Sequence, residues 1–140
     1  MPLRKIGELT VPSDPAYLEK VDQYSDRLFK KLPLGKNDLD DIAIAISEAV
    51  NNAMVHGNGL DADRNVHISY YLSARYLRIA VRDEGEGFIP DNVPDPTESE
   101  NLLKVSGRGL LIIRHLMDRI ECTILKNGMK MTLDKFFTEG

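Results

Sequence analysis

Residues 38–58, DLDDIAIAISEAVNNAMVHGN, decide the fold. Leu39, Ile42, Ala43, Ile46, Val50, Ala53 and Met54 recur at spacings of three and four, which puts one apolar stripe along an α-helix. Asn37 or Asp38 is the expected cap. Gly57 is the expected left-handed residue that ends the helix, with Asn58 leaving it. Glu48 and Asn52 lie four apart beside the stripe, so their side chains share a face one turn from each other. Such a pair is more often a solvated helix edge. It is also a chemically competent pair: an amide oxygen ligates a hard cation, and a carboxylate takes a proton or orients a water.

The chain around this helix has 140 residues, the length of one domain with one core. Its net charge of −4 argues against binding a phosphate backbone non-specifically, and no Lys/Arg cluster marks a nucleic-acid groove. Cys122 is the only cysteine, so no intrachain disulfide and no zinc spacing exists. No apolar run reaches the length of a membrane span, and residues 1–10 lack the pattern of a signal peptide. A cytoplasmic protein is the expectation.

Residues 4–11 alternate loosely and predict an edge strand. Pro12-Ser13-Asp14-Pro15 breaks it, with Ser13 or Asp14 as N-cap and Pro15 as first helical residue. Leu18, Val21, Tyr24, Ser25, Leu28 and Phe29 then carry a first helix to about residue 31. After the organising helix, residues 59–64 read as a polar loop. Val66, Ile68, Tyr70 and Leu72 alternate with polar neighbours, as do Leu77, Ile79 and Val81, giving two antiparallel strands. Residues 89–106 hold Pro90, Pro94 and Pro96 and show no period; a connection this long is more often a functional lid than a turn. A short helix follows over residues 110–117, then strands on either side of Asn127-Gly128, a strong hairpin signal. The order β, α, α, β, β, lid, α, β, β predicts an α+β two-layer sandwich, helices on one face of a mixed, mostly antiparallel sheet.

Three polar features lie on sequence-distant segments. Glu48 and Asn52 sit on the helix. Asp83-Glu84-Gly85-Glu86-Gly87 follows a strand, where an Asp accepts a hydrogen bond from an exocyclic amine and glycines let the backbone approach a flat ring. Gly107-Arg108-Gly109 opens a helix, where free amides favour phosphate. Taken together, Glu48-Ala49-Val50-Asn51-Asn52-Ala53 with His56-Gly57-Asn58, Asp83 to Phe88, and Gly107-Arg108-Gly109-Leu110 with Ile113 to Asp118 resemble the three boxes of a known superfamily. It is the Bergerat-type ATP-binding fold shared by DNA gyrase, heat-shock chaperones, histidine kinases and MutL-type repair proteins. The details are most similar to the small anti-sigma factor serine/threonine kinases of bacteria.

That resemblance implies roles. Asn52 would ligate Mg²⁺ and Glu48 would accept the proton of a substrate serine. Asp83 would bind the adenine amino group of ATP, with Gly85 and Gly87 shaping the pocket. Residues 89–106 would form the ATP lid. Gly107 and Gly109 would offer amides to the phosphates, and Arg108 and Lys104 would reach the γ-phosphate. The implied partners are an antagonist protein as phosphorylation substrate, a sigma factor, and a second copy of the chain, with the first strand as a candidate contact. His56 reads as structural, His67 and His115 as surface or packing residues, Glu84 and Glu86 as solvated, and Met117, Met129 and Met131 as core filling. Two competing readings remain open at this point. One is a nucleotide-dependent binding module with little transfer activity, against which a base beside the metal ligand argues. The other is the ATP-binding half of a histidine kinase, which would need its phosphoacceptor helices from another protein.

Overall fold

The alternating strands and periodic helices of the sequence meet in a five-stranded sheet of order β1-β2-β3-β5-β4. The computed structural model describes residues 2–85 and 108–137, with residue 108 by its backbone alone. The expected lid, residues 89–106, lies outside the described residues, as do Glu86, Gly87, Phe88, Lys104 and Gly107. The strands are β1 (Arg4–Pro12), β2 (Asn65–Leu72), β3 (Tyr76–Arg82), β4 (Arg119–Leu125) and β5 (Gly128–Phe136). Every pairing between them is antiparallel. β5 inserts between β3 and β4, because the chain crosses over from β3 through a helix before entering at the far edge. β1 is the opposite edge, as its loose alternation predicts.

The helices are α1 (Leu18–Phe29), α2 (Lys36–Asn52) and α3 (Arg108–Leu116). Asp14 caps a short 3-10 turn ahead of α1, accepting the Ala16 N–H at 3.0 Å, with Pro15 at its first position as expected. α1 buries Val21, Ser25 and Phe29, and α2 lies beside it. Inward-facing Val66, Ile68, Tyr70, Leu77, Ile79 and Leu133 supply the sheet's side of the core. Tyr70 is wholly buried, and its hydroxyl is matched by the buried Ser25 Oγ at 2.6 Å; burial pushes the phenol up to about 12.

Two expectations for the organising helix are corrected. It begins at Lys36 with Gly35 as the N-cap, which has no side-chain cap bond; Asn37 and Asp38 fall inside the first turn, where Asp38 suits the positive helix end. Regular α-helix stops at Asn52, and residues Ala53–Gly57 form a π-helical turn closed by Asn58 N–H to Ala53 O at 2.8 Å. The left-handed residues are Gly59 (φ 63°) and Leu60 (φ 57°), not Gly57. Gly57 serves a different need, described below. α2 also buries Ala45 and Ala49 outside the predicted stripe, since α3 packs against it as well as the sheet.

On the sheet face away from the helices, Asp134 of β5 stands opposite Arg78 of β3 and Arg119 of β4. Arg78 Nε and Nη2 donate to the Asp134 carboxylate at 2.7 and 3.0 Å, and Arg119 Nε donates at 2.6 Å. Tyr76 and Phe136 stack edge-on beside them, with the Arg119 guanidinium 5.3 Å from both ring centres. Asp134 is 1 % exposed, so its removal strands two guanidinium groups. Both reach solvent, so Asp134→Ala should cost about 2–3 kcal/mol, below the loss for a fully buried pair. Urea unfolding checks this; a change under about 0.5 kcal/mol would make the triad incidental.

Candidate nucleotide site

Asp83 follows β3 directly, and alternation turns its side chain to the helix side of the sheet. Its N–H donates to Met129 O at 3.0 Å, extending the β3–β5 ladder by one bond. Its Oδ1 accepts the N–H of Gly85 at 3.0 Å and of Met129 at 3.1 Å. The residue is 3 % exposed. Burial raises its carboxyl above the usual range, and the two backbone N–H groups offset part of that rise.

Glycines make room for this carboxylate. A Cβ on Gly57 would collide with the Asp83 carboxyl group, and one on Gly85 would collide with the Gly57 carbonyl. Gly57 therefore allows close approach rather than a left-handed turn. The first and second sequence boxes meet here, through backbone against side chain.

The first and third boxes meet at Gly109. A Cβ there would lie 2.9 Å from Asn52 Nδ2, 3.1 Å from Asn52 Oδ1 and 3.2 Å from Glu48 Oε2. The bare second residue of α3 thus rests on the two polar side chains of α2. The helices run antiparallel: the far end of α3 is tied by Lys135 Nζ, which donates to Leu116 O at 2.7 Å and stands 3.9 Å from Asp38 and Asp41 at the start of α2. Asn52 is 8 % exposed, and its Nδ2 is buried with no hydrogen-bond partner among the described residues. Leaving such a group unpaired costs about 1–3 kcal/mol. A half-turn of the amide exchanges it for the oxygen, so the position offers a ligand either a donor or an acceptor.

Of the residues singled out in the sequence, Glu48, Asn52 and Gly109 are brought together, and Asp83 and Gly85 are brought together with Gly57. Asn52 and Gly57 are separated by roughly 7 Å along the helix axis. The backbone of Arg108 opens α3. Sequence reasoning missed the bonds made by Asn58, Glu84 and His67. Asn58 is 2 % exposed; its Oδ1 accepts the Glu84 N–H at 2.7 Å. Glu84 keeps 34 % of its side chain exposed but does not float free: its Oε1 accepts the Asn65 N–H at 2.8 Å, and its Oε2 meets His67 Nε2 at 2.7 Å. Nothing in the local pattern signals these bonds, because all of them join distant segments. His56 and His115 are exposed, and Met117, Met129 and Met131 pack in or against the core as expected.

A five-stranded sheet with its helices on one face, and three motif-bearing segments converging at one end of α2, is the architecture of a histidine kinase-like ATPase. The comparisons agree. Residues 11–135 match the family described as Histidine kinase-like ATPase domain. The serine-protein kinase RsbW of Oceanobacillus iheyensis is 23 % identical over 138 residues, spanning 94 % of this chain and 87 % of that protein. The anti-sigma F factor of Bacillus thuringiensis is 38 % identical over 110 residues, spanning 74 % of this chain and 73 % of its own length. Among solved structures, the RsbU and RsbW domains of a Mycobacterium tuberculosis protein superpose with a TM-score of 0.69 at 19 % identity, covering 100 % of this chain and 34 % of that one. The histidine kinase domain of a blue-light-activated kinase from Erythrobacter litoralis gives 0.59 at 20 % identity, covering 90 % and 61 %. At such identities the two structures speak for the fold alone. The chain belongs to the histidine kinase-like ATPase family, in its anti-sigma factor kinase branch. ATP binding goes with that membership.

The raised carboxyl of Asp83 has a consequence for stability. A group held more protonated in the folded chain than in the unfolded one helps the fold at pH below its ordinary value. That help is lost as pH rises through the raised value. Asp83→Asn keeps an oxygen for both N–H donors and carries no charge. Its melting temperature at pH 7 should equal or exceed that of the wild type, with the difference vanishing in acid. A wild-type advantage at pH 7 would show that the charged form is the favoured one.

Proposed function

We propose that this protein is an ATP-dependent serine/threonine kinase of the anti-sigma factor type, which phosphorylates an antagonist protein and also binds a sigma factor. One observation carries the reading: Gly109 closes on Glu48 and Asn52, one of whose amide atoms is buried and unpartnered. The names of the relatives, serine-protein kinase and anti-sigma F factor, point the same way.

In this reading Asp83 accepts the adenine amino group, with Gly85 and Gly87 lining the ring's edge. The amides of Gly107 and Gly109, at the entry to α3, face the phosphates, with Arg108 and Lys104 as cations for the γ-phosphate. The fit to Mg²⁺ rests on Asn52. Asn52 is the residue that would hold the ion, by its amide oxygen, with phosphates and water completing the shell; among the described residues no three His, Cys, Asp or Glu side chains form a metal site of their own. When bound, the ion neutralises charge on the phosphates. Glu48, one turn before Asn52, faces the same space without being needed as a ligand. The substrate serine gives its proton to the Glu48 carboxylate as its oxygen bonds to the γ-phosphorus. The bond from that phosphorus to the β–γ bridging oxygen breaks, and ADP leaves.

The protein acts in the cytoplasm on this reading; among the described residues no helix is long and apolar enough to cross a membrane. A homodimer contact through the outer edge of β1 belongs to the same proposal.

Glu48→Gln keeps the shape and removes the base. It should bind Mg-ATP within a few-fold of wild type and transfer phosphate at least roughly 10²-fold more slowly. Transfer of labelled phosphate to a cognate antagonist, with acid stability of the product, measures this and separates serine from histidine transfer. Transfer at the wild-type rate would remove Glu48 from the chemistry. A wild type that binds ATP and transfers to no cognate partner would make the protein a nucleotide-dependent binder.

Asn52→Ala should abolish Mg-dependent ATP binding in calorimetry. Micromolar affinity retained in magnesium would sink the assignment of Asn52.

A further inference from the structure

Asp83 and Gly85 belong to a short segment that leaves the sheet, and Gly85 has no side chain to anchor it. Something must hold it in shape. Glu84 stands between them, and alternation turns its side chain to the open face of the sheet, away from Asp83. There its carboxylate is held by the Asn65 N–H and by His67 Nε2. His67 Nδ1 lies 3.2 Å from Thr10 Oγ1 of β1. A neutral ring with its proton on Nε2 satisfies both neighbours, the threonine hydroxyl donating to Nδ1.

The main chain of Glu84 is held as well. Its N–H donates to Asn58 Oδ1 at 2.7 Å, and Asn58 gives its amide hydrogens to Ser13 Oγ at 2.8 Å and Asn65 O at 3.0 Å. Ser13 Oγ in turn donates to Arg64 O at 2.7 Å. Asn58 thus uses both its donors and its acceptor. One residue of the loop is gripped by backbone and side chain together, from the end of β1, the turn after α2 and the start of β2. The Asn65 N–H first, and His67 second, hold the Glu84 carboxyl below its usual range, so the clamp works in its charged form at neutral pH.

We propose that Glu84, gripped by Asn58, Asn65 and His67, is the positioning residue that fixes the Asp83–Gly85 loop for recognition of the nucleotide base. The proposal rests on the reading of Asp83 as the adenine-binding residue. Glu84 touches no part of the ligand; it removes freedom that the loop would otherwise lose on binding. Its loss therefore acts on the base end and not on the phosphate end. Adenine offers Asp83 an amino donor where guanine offers a carbonyl, so wild type should favour ATP over GTP, and the clamp should be what sustains that preference.

The test is calorimetry of wild-type protein and variants with Mg-ATP and with Mg-GTP, alongside KM and kcat for ATP. Glu84→Ala should weaken ATP by about tenfold, the scale of one or two lost hydrogen bonds. GTP binding should change little, so the preference for ATP narrows. KM should rise while kcat holds. Glu84→Gln keeps an oxygen for the Asn65 N–H and should recover part of the loss. Should Glu84→Ala fail to fold, His67→Leu removes one arm of the clamp, and His67→Gln, which restores a donor at that reach, should rescue it. Equal losses for ATP and GTP would reduce Glu84 to general stability and overturn the proposal, as would unchanged ATP affinity in Glu84→Ala or His67→Leu. Wild-type protein that binds ATP and GTP equally, or neither, overturns the reading of Asp83 and the proposal with it.

Discussion

A buried carboxylate with almost no water around it must be given hydrogen bonds and space, and Asp83 receives both from segments far apart in the chain. The Met129 and Gly85 N–H groups supply the bonds. Glycines supply the space: besides Gly57 and Gly85, a Cβ on Gly128 would collide with the Asp83 carbonyl. Gly128, at φ 137°, also opens β5 in the hairpin from β4. The register of that hairpin, the π-helical end of α2 and the exit from β3 are thus all conditions on one side chain. Shifting any of them by a residue would place a side chain or an unpaired carbonyl against Asp83, and a one-residue slip in β5 would also turn its core face to solvent.

The other half of the site is set by helix packing. α2 is covered by the sheet on one side and by α3 on another, and Ala45 and Ala49 are buried on it. Small residues let a second helix approach closely. At Gly109 the approach is close, and there the contact is with Glu48 and Asn52 rather than with apolar groups. Lys135 fixes the other end of α3 by taking up a free carbonyl, that of Leu116. The angle of α3 is therefore defined at both ends, once by a hydrogen bond and once by the absence of a Cβ.

What the sequence made legible follows from which signals are local. The stripe from Leu39 to Met54, the alternation of β2 and β3 and the Asn127-Gly128 turn each depend on near neighbours; the strands and the hairpin formed as read, and the helix formed with a different cap and a π-helical end. The fold class follows from their order. The candidate site was legible as three motifs through resemblance, and the contacts of Gly57 and Gly109 give two of those motif glycines a steric reason. The missed features are long-range. Gly57 reads as a helix end because glycine after a helix usually is one; its actual neighbour, Asp83, is 26 residues away. Glu84 reads as solvated because it sits in a polar loop, and its partners Asn65 and His67 are reached only once β2 and β3 have paired. Ala45 and Ala49 escaped the stripe because a one-sided helix was expected.

The two ends of the site carry the same kind of cost in the free protein. At one end a carboxyl is held above its usual range by burial; at the other an amide atom is buried without a partner. At neutral pH neither arrangement is the cheapest for the fold alone, although the Asp83 carboxylate still satisfies two backbone N–H groups. On the proposed reading, an amino donor at Asp83 and a cation or other polar ligand at Asn52 would relieve both costs at once. Any ligand that binds only the folded chain stabilises it by RT ln(1 + [L]/Kd), about 2.7 kcal/mol at a hundredfold excess over Kd, and relief of such costs is contained in Kd. The Asn58–Glu84 clamp fixes the exit from β3, the Lys135 tether fixes the far end of α3, and the Arg78–Asp134–Arg119 triad ties β3, β4 and β5 on the opposite face of the sheet.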